Sequence, residues 1–88
     1  MNIAAIANTV AVEYLKTVMP RVKRTHVSVL RCCILNAITD GITDDAFIKD
    51  VGNNPIYSQA AKTVFSVVGN DIGMLIGKTQ EAARGTPS

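Results

Sequence analysis

Apolar residues recur at helical spacing along most of the chain, and the widest apolar face falls in residues 25–40. At 100° per residue, Val27, Leu30, Cys33, Ile34, Leu35, Ala37 and Ile38 span an arc of roughly 200°, about twice the stripe of a surface helix. Ser28, Cys32, Asn36 and Thr39 form a narrow polar remainder. This pattern predicts a central helix over residues 25–40 with partners on more than one side. Thr25 suits its N-cap, and Gly41 suits the left-handed position that ends it. Arg31 projects between Val27 and Ile38, inside the apolar arc. Such a side chain lays its stem over the core and reaches water, or pairs with a carboxylate such as Glu13 or Asp45.

The same periodicity predicts a first helix over residues 2–19. Ile3, Ala7, Val10, Tyr14 and Val18, with Ile6 and Ala11, lie on one side, and Thr9, Glu13 and Lys16 lie opposite. Ala4, Ala7 and Ala11 are small enough for another helix to approach closely. Pro20 ends this helix, because it has no N–H to donate and disfavours helical geometry at Met19. A short third helix is expected over residues 44–51, with Thr43 as cap and Asp44 and Asp45 in the first turn, where the helix dipole favours negative charge. Residues 52–54 read as a turn.

Pro55–Val68 reads as a fourth helix, with Asn54 at the N-cap and Pro55 at the first helical position. Ile56, Tyr57, Ala60, Ala61, Val64, Phe65, Val67 and Val68 share one side; Ser58, Gln59, Lys62, Thr63 and Ser66 share the other. Gly69 is expected to end it. A fifth helix opens at Asn70 or Asp71 and runs to Arg84, with Ile72, Leu75, Ile76, Thr79 and Ala83 on one side. Gly73 and Gly77 share a face of this helix, where each costs roughly 1 kcal/mol relative to alanine; close packing of a neighbour would offset that.

The expected fold is therefore all-α: a small compact bundle of four main helices plus one short helix, packed around residues 25–40. Residues 1–84 form a single helical domain and residues 85–88 a flexible tail. A chain of 88 residues has a thin core, yet 48% of its residues are apolar. Apolar content in excess of a small core points to self-association or a protein partner. No apolar run approaches the ~18 residues of a membrane span. The N-terminus also lacks the basic n-region of a signal peptide, which makes the cytoplasm the default setting.

The net charge of +2 is small, but its distribution is uneven. Lys16, Arg21, Lys23, Arg24, His26 and Arg31 lie close in sequence, and Asp40, Asp44, Asp45 and Asp50 follow as a block. These are two solvated patches that can face each other, or else the basic one contacts phosphates. Cys32 and Cys33 are neighbours that cannot close an unstrained disulfide within a helix, so both are expected as thiols. With one histidine and two adjacent cysteines, no set of zinc ligands, nucleophile–base pair or cofactor motif can be assembled. No enzyme, metal or cofactor is expected.

Two functions fit this pattern. The first is a non-enzymatic protein acting by protein–protein contact or self-assembly, with Ala4, Ala7, Ala11, Gly73 and Gly77 as helix–helix contact points. The alternative is a nucleic-acid-binding module in which residues 44–68 resemble a helix-turn-helix in length. There, Arg21, Lys23, Arg24 and Arg31 would hold phosphates, and Gln59 and Lys62 would reach bases.

Overall fold

The computed structural model describes residues 2–41 and 55–85, of which 87% are helical and none is in a strand. Helix α1 spans Ile3–Val18. The Asn2 side chain caps it by accepting from the Ala4 N–H at 2.9 Å. Met19, just before Pro20, is extended at φ −128° and ψ 138°, the geometry that a following proline enforces. Helix α2 spans Arg24–Asp40 and ends at Gly41, whose φ of 66° and ψ of 20° lie in the left-handed region. Helix α3, Pro55–Val68, continues through a 3-10 turn, Gly69–Asp71, into helix α4, Ile72–Ala83.

These last two segments are one bent helix of 29 residues, so the described residues form three helices where the sequence suggested separate units. Gly69 ends α3 as expected, at φ 53°, but the chain bends there and does not reverse. Tyr14 of α1 sits at the bend. Its hydroxyl donates to Asp71 Oδ2 at 2.8 Å, with the Val67 carbonyl 3.5 Å away. Asp71 occupies the cap position of α4 yet gives its carboxylate to Tyr14, and its side chain makes no cap bond. The expected helix over residues 44–51, its Thr43 cap, the turn at 52–54 and the Asn54 cap lie outside the described residues, as do residues 86–88.

Helix α2 packs against α1, α3 and α4, and α4 also packs against α1. No residue from Thr25 to Ile38 is fully exposed, which fits a helix contacted from several sides. Its buried stripe is His26, Val29, Leu30, Cys33 and Ile34, rotated by roughly 70° from the centre of the apolar arc. Arg31 is therefore on the shoulder of the packed face and not within it. Ala7, Ala11 and Leu15 of α1, Ala60, Ala61, Val64 and Val68 of α3, and Leu75 of α4 complete the core. Thr79 is fully buried, and its hydroxyl is satisfied by the Leu75 carbonyl one turn back at 2.9 Å.

The small residues divide into two groups. Ala7 and Ala11 are fully buried and their close helix approach occurs within the chain, whereas Ala4 is half-buried. Gly73 and Gly77 are exposed, and a Cβ built at either would meet nothing within 4 Å. No neighbour among the described residues packs on them, so close packing within the chain does not account for them. Gly73→Ala and Gly77→Ala should each stabilise the chain by about 0.5–1 kcal/mol, because alanine costs less backbone entropy in a helix. Urea midpoints that rise for both variants, with unchanged slope, are the expected result.

Candidate functional site

Antiparallel pairing of α1 and α2 brings residues far apart in sequence to one cleft. From α1 come Asn8, Val12 and Lys16, spaced four apart on one side of the helix. Arg24, Val27, Ser28 and Arg31 come from α2, and Val22 and Lys23 close the end where the two helices connect. The cleft encloses about 440 Å³, within the range of sites that accept side chains or small ligands. Its chemistry is lopsided. Among the described residues nine line the cleft, four of them cations and none a carboxylate, while Val12, Val22 and Val27 supply an apolar floor.

The two ends of the cleft differ. At the connection end, Lys16, Lys23 and Arg24 are all exposed, at the N-terminus of α2. The first intrahelical acceptor there serves Val27, whose N–H reaches the Lys23 carbonyl at 3.2 Å. The first turn of α2 has no acidic residue, so its partial positive charge adds to the cations. At the other end, Arg31 is half-buried and its Nη1 donates to Asn8 Oδ1 at 3.0 Å. Glu13, a carboxylate considered for Arg31, is exposed and lines a different hollow between α1 and α4. The other, Asp45, lies outside the described residues. Asn8 is neutral, so its bond orients the guanidinium and leaves the charge in place.

The N-cap expected at Thr25 falls on Lys23, and His26 supports it from the third helical position. Lys23 is the N-cap residue, and its backbone N–H donates to His26 Nδ1 at 3.2 Å. Thr25 is inside the helix and half-buried. An imidazole three residues after the cap thus serves as the glutamate or glutamine of a capping box does, by accepting from the cap backbone. The bond needs an unprotonated Nδ1. Burial, and after it the Lys23 charge, hold the His26 pKa below its ordinary 6.5. The unfolded chain therefore takes up this proton first. The contribution is fully present above pH 6.5 and is lost as pH falls toward the lowered folded value. Melting temperature should drop between pH 7.5 and pH 5.5. His26→Gln, which keeps an acceptor, should flatten that slope.

The remaining expected site residues are dispersed. Arg21 is exposed beside the cleft but does not line it, and neither do Gln59 and Lys62, both exposed on α3. The helix-turn-helix reading also needs residues 44–54, outside the described set. Sequence reasoning missed Asn8, Val12, Val22 and Ser28 as cleft residues, since only the α1–α2 register brings them to the basic segment. Cys32 is half-buried and Cys33 buried, both as thiols. Tyr14 has its pKa raised by burial first, then by the hydrogen bond to and charge of Asp71. Among the described residues no group of three His, Cys, Asp or Glu side chains could hold a metal ion. No described helix is long and apolar enough to cross a membrane. The chain matches no protein-family model, no curated protein and no solved structure.

Proposed function

We propose that this chain is a non-enzymatic binding protein that works by helical surface contact with another protein, with the α1–α2 cleft as its contact site. The observation that carries this reading is the cleft lining among the described residues: four cations, three valines and no carboxylate. Charge of one sign around an apolar floor favours a partner of complementary chemistry. Self-assembly is a second form of the same reading, favoured by exposed Val18, Ile56, Tyr57 and Met74. Light scattering at high micromolar concentration tests it, with a dimer expected and a monomer ruling it out. A reducing, cytoplasm-like compartment suits the paired thiols of Cys32 and Cys33.

Nucleic-acid binding is the competing reading, resting on the same cations with Arg21 beside them. A photo-crosslinking residue at Ser28, in the cleft, separates the two, with a matching residue at exposed Gln80 of α4 as control. In extracts of cells that make the chain, the Ser28 adduct should be destroyed by protease and survive nuclease. It should also be lost with Arg24→Glu and be absent from Gln80. A nuclease-sensitive adduct would replace this reading with nucleic-acid binding.

A further inference from the structure

The cleft has a spacing as well as a sign. Arg24 and Arg31 are seven residues apart on α2, a rise of about 10.5 Å. They stand at opposite ends of the cleft, with Val12 and Val27 between them. Two positive poles thus flank an apolar middle along a groove that follows the helix axes. A helical occupant lying in this groove has the same rise per residue. Its carboxylates would meet both poles when they are seven apart, and its apolar side chains three and four residues on would cover the valines.

We propose that the cleft binds an acidic amphipathic helix of a partner protein, with carboxylates at i and i+7 and apolar residues at i+3 and i+4. This rests on the protein-contact reading above and deepens it by naming the partner's chemistry. One carboxylate meets Lys16, Lys23 and Arg24 at the N-terminus of α2. The other meets Arg31, whose bond to Asn8 uses one of five guanidinium donors and holds the rest in place.

Two features favour a peptide over a nucleic acid here. Among the described residues no aromatic lines the cleft to stack a base, the usual anchor for single strands. Duplex-binding surfaces bury about 1,000–2,500 Å² and are strongly basic, whereas this chain carries a net charge of only +2. A phosphate group would use one pole and leave the valine floor uncovered.

The test is a titration of the 15N-labelled full chain followed by amide chemical shifts. The probes are a helical peptide with glutamates at i and i+7 and leucines at i+3 and i+4, a permuted peptide of the same composition, inorganic phosphate, and short single- and double-stranded oligonucleotides. The matched peptide should shift Val12, Val27, Ser28 and Arg31, and the permuted peptide should bind at least about tenfold more weakly. Arg24→Glu, at an exposed position that leaves the fold intact, should weaken the matched peptide by a similar factor, and Arg31→Gln should do so from the other pole. Affinity should fall between ~0.05 and ~0.5 M salt without vanishing, because the apolar floor is not screened.

Equal binding of the two peptides overturns the proposal, as does binding of neither. Phosphate or an oligonucleotide shifting the same amides at lower concentration overturns it too. If peptides fail while the Ser28 crosslink still yields a protein adduct, this inference falls and the protein-contact reading stands. If the adduct is nuclease-sensitive, both fall.

Discussion

Ile34→Ala should unfold the chain far more readily than Ile56→Ala, although the two substitutions delete the same atoms. Ile34 is 0% exposed on the central helix, while Ile56 is 72% exposed near the start of α3. Truncating a buried isoleucine removes its transfer energy and leaves a cavity that neighbours fill only in part, a cost of about 2–5 kcal/mol. A domain of this size has roughly 4–13 kcal/mol in total, so the loss is a large fraction of it. At about 4–8 °C per kcal/mol for chains of 60–100 residues, the melting temperature should fall by about 8 °C or more. Ile56→Ala should stay within about 0.5 kcal/mol. Thermal melts of both variants at low concentration check this. A second copy packed on the α3 face would show itself by making the Ile56→Ala effect grow with concentration.

That contrast also marks what periodicity can and cannot tell. Both isoleucines were placed on the apolar sides of their helices from spacing alone. Spacing fixes which residues share a side of one helix, and it fixes helix ends where the chemistry is local. Pro20 and Gly41 mark boundaries that the structure has within a residue or two, and Gly69 marks the end of α3. The apolar side of α4, with Leu75 and Thr79 at its centre, was legible for the same reason.

What spacing lacks is the partner. The buried stripe of α2 takes in Val29 and His26 because α1, α3 and α4 arrive on that side, and no pattern within residues 25–40 says so. The cap of α2 is Lys23 and not Thr25, with the buried His26 imidazole accepting from the Lys23 N–H, a tertiary arrangement that N-cap propensity does not rank. The cleft was half legible. Its cations were visible as a basic run, but Asn8, Val12 and Lys16 join them only through the antiparallel register of α1 on α2. Gln59 and Lys62, read as base contacts on the polar side of residues 55–68, do not line the cleft.

Ala11→Leu should be the most damaging single enlargement in the chain. Ala7, Ala11 and Leu15 form one line along α1, each 0% exposed, at the seam where α1 meets α2 and α4. The two alanines are the thin part of that line, and their size sets how closely the helices approach. Leucine at position 11 adds three heavy atoms to a site with no exposed surface to receive them. Either its side chain leaves a staggered rotamer or α1 shifts outward, and overpacking of this kind costs about 1–3 kcal/mol, occasionally more. A shift of α1 has a second consequence that a purely local strain lacks. The Tyr14 hydroxyl lies 2.8 Å from Asp71 on the neighbouring side of α1, and Arg31 lies 3.0 Å from Asn8 on the other. Moving the helix lengthens one or both bonds, adding roughly 1 kcal/mol for each one lost. Urea denaturation should therefore show a larger loss for Ala11→Leu than for Ala11→Leu measured in a Tyr14→Phe background, since the second variant has one bond fewer to lose. Equal losses in the two backgrounds would mean that the Tyr14–Asp71 bond survives the enlargement and α1 does not move away from Asp71.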